Sequence, residues 1–293
     1  MRTLIHNYSS ALSTEPMYFT RCLETCGLQT HLWSDKNVSA FDIFDAVQPD
    51  VFLSHYTFLT NDIVKYLNHN KKIKTVLNVT GANEQELASI DQVLSENKLD
   101  APFVFTNMHD SMYTHTTKHI RMVNILPSVD IFLPPVDLPS FEIDLAVIAT
   151  DMNELVENAT KSQGTYHLLS LGRDNKEFDL SADIQLLRGM YGKYKEVLLT
   201  SDISVVFSQV LFEAALNANK LSIKVDKKQQ LMLDKILASL FHDDGNDDVG
   251  KLVKRQIQRK HTCVHRAARL CNLLNNGEAA QKLKEMGKQL CEQ

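Results

Sequence analysis

The sequence predicts an α/β protein of two Rossmann-like lobes, each a mostly parallel sheet wrapped by helices, with a helical C-terminus. Three observations predict it. Short apolar runs alternate with longer amphipathic ones along most of the 293 residues. The alternation stops at Pro134-Pro135-Val136-Asp137-Leu138-Pro139, where three of the seven prolines fall within six residues, and then resumes. The length also fits two domains of ordinary size.

In the first half, strands are expected at 3–5, 30–33, 51–55, 74–79 and 103–106, with a further extended run at 129–133. Helices are expected at 17–26, 41–47, 61–67 and 84–94. The first of these is stopped by Gly27. In the second half, strands are expected at 145–148, 166–171, 196–200 and 221–225, with helices at 152–160, 182–194 and 205–216. From Gln229 the pattern is helical to the end, broken by the acidic run Asp243-Asp244-Gly245-Asn246-Asp247-Asp248. Strand and helix in alternation imply right-handed βαβ units and parallel sheets. The proline run divides the chain into lobes at 1–136 and 137–293.

Composition excludes several classes. A net charge of −5 opposes a whole-surface footprint for nucleic acid. One local basic run stands out: Lys251, Lys254, Arg255, Arg259, Lys260 and Arg266. It reads either as a solvated helix face or as a charged patch. Five irregularly spaced cysteines suggest reduced thiols rather than a disulfide framework, with Cys22 and Cys26 on one helix face. The N-terminus turns polar too early for a signal peptide, and no apolar run approaches the roughly 18 residues of a membrane span. A cytoplasmic protein with no membrane partner is the expectation.

Familiar cofactor motifs are missing. There is no Gly-x-Gly-x-x-Gly, no Walker-type phosphate loop and no Gly-x-Ser-x-Gly elbow. The acidic run lacks the closing glutamate of a calcium loop. His261 and His265 would lie one turn apart on a helix, as would His115 and His119. Cys263 would point elsewhere and no further ligand pair has suitable spacing, so no metal site is expected.

In open α/β sheets, ligands bind beyond the carboxyl ends of the strands. In the first lobe that places Asn7, Tyr8 and Ser9, then His55, then Thr80, then His109 at the working edge. In the second it places Arg173 and Ser201. A cleft between two such edges is the natural binding place. His55 or His109 could take a proton from an acceptor hydroxyl, or could be a structural histidine bonded to a neighbouring loop. Glu213, in Phe212-Glu213-Ala214-Ala215, could bond ribose or sugar hydroxyls, or could be a solvated helix residue. Helix N-termini around Ser201 and Ser208 could hold a diphosphate without a cation.

Three stretches then carry a family resemblance. They are Leu133-Pro134-Pro135-Val136-Asp137-Leu138-Pro139-Ser140-Phe141, Ser208-Gln209-Val210-Leu211-Phe212-Glu213-Ala214-Ala215, and His261-Thr262-Cys263-Val264-His265-Arg266. In this order they resemble the interlobe crossing, the donor-site helix and the C-terminal helix of GT-B glycosyltransferases, especially the spore-maturation (CgeB-like) and phage-encoded branch. The resemblance covers most of the chain. It departs at Val210, Ala218 and Leu221, where the family commonly has Arg, Gly and Glu.

The resemblance implies metal-independent transfer of a sugar from a nucleotide-sugar, with no further cofactor. The acceptor hydroxyl would belong to a glycan, a protein or modified DNA. Asn7, Tyr8, Ser9 and Thr80 would then serve the acceptor, with His55 and His109 as candidate bases. Arg173, Ser201, Ser208 and Glu213 would serve the donor. The alternatives are a non-catalytic binding or scaffold protein on the same fold, and a nucleotide-sugar epimerase.

Overall fold

The computed structural model describes residues 1–7, 15–35, 37–79, 84–97, 103–106, 122–125, 128–149, 165–170, 180–200, 209–240 and 249–291, with 82, 99 and 157 singly. The chain forms two compact α/β units.

The first unit holds a six-stranded, all-parallel sheet of β1 (Arg2–His6), β2 (Gln29–Trp33), β3 (Val51–His55), β4 (Lys74–Asn78), β5 (Phe103–Thr106) and β6 (Met122–Asn124). Their order is β2-β1-β3-β4-β5-β6. The helices are α1 (Glu15–Thr25), α2 (Ala40–Val47), α3 (Asn61–His69) and α4 (Glu84–Glu96). Consecutive residues Thr3, Leu4 and Ile5 are all buried, as are Val51 through Ser54 and Thr75 through Asn78. Burial of neighbours that point to opposite faces means the sheet is covered on both sides.

On the Leu4 and Phe52 face lie Phe44 and Val47 of α2 with Ile63, Tyr66 and Leu67 of α3. Leu87, Ile90 and Leu94 of α4 continue this layer against Leu77. Local chemistry fixes these helices. Ser39 accepts from the Asp42 N–H at the start of α2, and Gln48 ends it in the left-handed region at φ 47°. Thr60 caps α3 in the same way as Ser39 caps α2.

The second unit holds a four-stranded parallel sheet of β7 (Leu145–Ala149), β8 (His167–Ser170), β9 (Glu196–Thr200) and β10 (Leu221–Lys224), in the order β10-β9-β7-β8. All five residues of β7 are buried. The helices are α5 (Leu180–Tyr191), α6 (Gln209–Asn217), α7 (Lys227–Leu240) and α8 (Val249–Lys260). Two more, α9 (Cys263–Leu273) and α10 (Gly277–Cys291), complete the chain.

The α/β architecture with two Rossmann-like sheets is as expected, but several details differ. The division falls at 126/127 rather than 136/137, and residues 263–289 group with the first unit rather than the second. The physical reason is burial. Tyr18, Phe19, Cys22 and Leu23 of α1 and Cys26 just after it are covered, and α1 packs on α9. The Cys26 Sγ lies 3.7 Å from the Ala279 carbonyl, and Lys74 Nζ donates to Leu274 O at 3.0 Å.

The proline run is equally specific in its attachment. Val136 N–H donates to Gln185 O of α5 at 3.0 Å, and Lys193 pairs with Asp137 at 3.0 Å. Gly189 permits this approach, because a Cβ there would run into the Val136 carbonyl. The linker is thus part of the second unit.

The extended run expected at 129–133 is not a strand. Val129 makes one isolated bridge to Thr262, and the Asp130 carboxylate then accepts from Phe132 N–H at 3.0 Å, closing a turn. His261 and His265 do not share a helix, since α9 begins at Cys263. The expected helix at 152–160, the acidic run at 243–248, and His115 and His119 lie outside the described residues.

Candidate functional site

A sheet whose strand order reverses between β1 and β3 has its switch point there, so the crevice at their carboxyl ends is the place to look. Four side chains meet at that edge. His6, the last residue of β1, stacks on Trp33 of β2 with centroids 4.2 Å apart and planes 11° apart. Phe58 lies 5.0 Å from the same imidazole. His6 Nδ1 lies 3.2 Å from Ser54 Oγ, and Ser54 is fully buried on β3.

The Ser54 hydroxyl donates to the His55 carbonyl at 3.2 Å, so its proton is committed. With that proton on the His55 carbonyl, the lone pair receives from His6 Nδ1–H, the tautomer that leaves Nε2 as an acceptor. Burial drives the His6 pKa down to about 4, which keeps the ring neutral near pH 7. The site thus holds a neutral imidazole on an aromatic platform, with Nδ1 engaged by Ser54.

His55 is held differently. Its Nδ1 accepts from the Thr57 N–H at 3.5 Å and contacts Thr57 Oγ1 at 2.8 Å, capping the short 3₁₀ turn Tyr56–Phe58. In the neutral ring the proton then sits on Nε2, making His55 a donor at its outer nitrogen. Side-chain alternation along β3 sends His55 to the face opposite Ser54. Asn7 follows His6 directly. Its N–H donates to the Trp33 carbonyl at 2.8 Å, while its side chain is exposed.

A groove of ≈ 370 Å³ opens on the same unit, lined by Tyr56, Leu59, Glu86, Ser89 and Ile90 among others. Tyr56 is pushed above the usual tyrosine range by burial and then by its hydrogen bond to the Glu86 carboxylate.

In the second unit Glu213 is buried on α6. Arg188 of α5, also buried, donates through Nε at 2.5 Å and Nη2 at 2.6 Å, a bidentate pair. Arg188 Nη1 also donates to the Leu133 carbonyl in the linker. Tyr191 is pushed far above its usual range by burial and then by the Glu213 charge. The three donors of Arg188 thereby join α5, α6 and the linker at one buried point. Glu213 is not the solvated helix residue that a polar residue on a surface helix would be.

Of the residues singled out from sequence, Asn7 and His55 stand at the first sheet's working edge, and Glu213 stands in the second unit's interior. Tyr8, Ser9, Thr80, His109, Arg173, Ser201 and Ser208 lie outside the described residues. Among the described residues, no group of three or more His, Cys, Asp or Glu is arranged to hold a metal ion. No described helix is long and apolar enough to cross a membrane.

Sequence reasoning missed His6, Ser54 and Arg188. His6 and Ser54 were legible in principle, because they occupy the last turns of the two strands that flank the switch point. Counting only residues after each strand passed over both.

No protein-family model and no curated protein matches the chain. Solved structures that follow its course include the calicheamicin glycosyltransferase CalG4, at 10% identity and TM-score 0.38, covering 97% of each chain. Another is the UDP-GlcNAc 2-epimerase from Neisseria meningitidis, at 9% identity and TM-score 0.36, covering 94% of this chain and 99% of that one. A third is a 3-phosphoglycerate dehydrogenase from Entamoeba histolytica, at 9% identity and TM-score 0.29, covering 94% and 96%. Similarity at this level assigns no activity.

Proposed function

We propose that the protein is a glycosyltransferase that moves a sugar from a nucleotide-sugar to a hydroxyl acceptor, without a metal ion. The observation that carries this reading is His6: a neutral imidazole at the first sheet's switch point with Nδ1 engaged by Ser54, and the tautomer protonated there leaves Nε2 as an acceptor. The three sequence stretches that resemble GT-B enzymes add to it.

In this reading, His6 Nε2 takes the proton of the acceptor hydroxyl as the oxygen attacks the anomeric carbon. The bond from that carbon to the diphosphate breaks, and its electron pair leaves with the nucleoside diphosphate. Asn7 orients the acceptor. The donor's diphosphate falls to Arg173, Ser201 and Ser208, as the resemblance implies. Glu213 acts by fixing α6, because its carboxylate is already spent on Arg188.

The test is turnover with a panel of radiolabelled nucleotide-sugars, measured as transfer or hydrolysis. His6→Asn is expected to lower kcat by roughly 10²–10⁴-fold, the range for loss of a general base. His55→Asn is expected to be far milder. Full activity in His6→Asn would remove the reading.

The occupied carboxylate of Glu213 favours one second reading, a non-catalytic nucleotide-sugar binding protein on the same fold. Saturable binding with no turnover in the wild type would identify it.

A further inference from the structure

The helix α8 has a composition that neither the fold nor the proposed reaction uses. Its sequence, VGKLVKRQIQRK, carries Lys251, Lys254, Arg255, Arg259 and Lys260 and no acidic residue. This cationic helix belongs to a chain of net charge −5.

At ~100° per residue, Lys254, Arg255 and Arg259 fall within an arc of roughly 140° on the helix. Ile257 falls on the opposite side. Ile257 is fully buried and α8 packs against α6, whereas Arg255 and Arg259 are exposed. Among the described residues no carboxylate pairs with Lys254 or Arg259.

We propose that this face of α8 is a binding stripe for a nucleic-acid backbone. The cations form two rows along the helix, Lys254 with Arg255 and then Arg259. At ~1.5 Å of rise per residue the rows stand about 7 Å apart. One strand of duplex DNA advances about 3.4 Å per phosphate along its axis, so the rows match every second phosphate. A membrane surface is disfavoured as the partner. An interfacial helix needs a free apolar face to enter the bilayer, and that of α8 is turned onto α6. The stripe stands independently of the proposed sugar transfer.

The experiment is fluorescence anisotropy with a labelled 20-base-pair duplex at 50 and 200 mM NaCl. About three neutralised phosphates give a log–log salt slope near −2.7, so affinity is expected to fall roughly 40-fold between the two salts. Arg255→Ala/Arg259→Ala should weaken binding at 50 mM and make the slope shallower by about 2. Arg255→Lys/Arg259→Lys should restore it. Lys282→Ala/Lys288→Ala on α10 should leave it unchanged.

If the double alanine variant melts early, Arg259→Ala alone should still flatten the slope by about 1. Three results would overturn the proposal: no duplex binding at 50 mM NaCl, binding that the α8 variants do not alter, or stronger binding to phosphatidylserine vesicles than to duplex.

Discussion

Replacing Glu213 by alanine tests the central contact of the second unit. In the wild type the Arg188 guanidinium is buried, with bonds of 2.5 and 2.6 Å to the two carboxylate oxygens. Glu213→Ala removes both acceptors and leaves a positive charge in a protein interior. Breaking a buried pair from one side costs about 3–5 kcal/mol, because the remaining ion keeps its desolvation penalty. At ~2–4 °C per kcal/mol, the calorimetric transition should fall by roughly 6–20 °C.

The double variant Arg188→Met/Glu213→Leu removes both charges and keeps the volume. It should recover to within about 1–2 kcal/mol of the wild type. The residual loss comes mainly from the Leu133 carbonyl, which gives up one donor worth ~1 kcal/mol. Urea unfolding of the wild type, Arg188→Met, Glu213→Leu and the double variant completes a double-mutant cycle; single losses of about 3–5 kcal/mol each against a joint loss of about 1–2 kcal/mol give an expected coupling of at least about 4 kcal/mol. The reasoning is refuted if Glu213→Ala lies within about 0.5 kcal/mol of the wild type, or if the two single losses simply add. Retained stability with lost nucleotide-sugar binding would instead make Glu213 a ligand contact.

Three further outcomes follow from named contacts. His6 is neutral when folded down to about pH 4 and titrates near 6.5 when unfolded, so between those values the unfolded chain holds more protons. Stability should therefore fall as pH drops through that window, by ~1–2 kcal/mol after allowance for partial exposure, and His6→Asn should flatten this part of the urea-midpoint profile. Gly189→Ala should cost roughly 1–3 kcal/mol by urea unfolding, since the added methyl meets the Val136 carbonyl and must push the linker off α5. Tyr66→Phe should cost about 1 kcal/mol by the same assay, since the phenol donates to Asp45 at 2.7 Å; ultraviolet titration should also lose a tyrosine that burial and Asp45 push up to about 12.

Periodicity made most of the sheet legible. Buried parallel strands read as short continuous apolar runs, which is why β1, β3, β4, β7 and β9 stand close to their expected places. It failed where the signal is short or ambiguous. Met122-Val123-Asn124 is too brief to register as β6. Val129 to Leu133 alternates like a strand, yet Asp130 spends its carboxylate on Phe132 N–H and turns the chain. Arg188 was invisible for a different reason. Its partner lies 25 residues away on another helix, and no local pattern records a pairing made only by packing. The same holds for α9 and α10, whose amphipathic faces say that they must pack but not on which unit.

That return of the chain also bears on the order in which the protein can be made. Residues 127–262, the bulk of the second unit, leave the ribosome as one continuous stretch, whereas the first unit must wait for residues 263–289 before α1 meets α9. Domains emerging N-terminus first usually fold in that order. Here the unit that holds the first-made sheet is completed only after residues 127–262 have been made, because α1 lacks its packing against α9 until then.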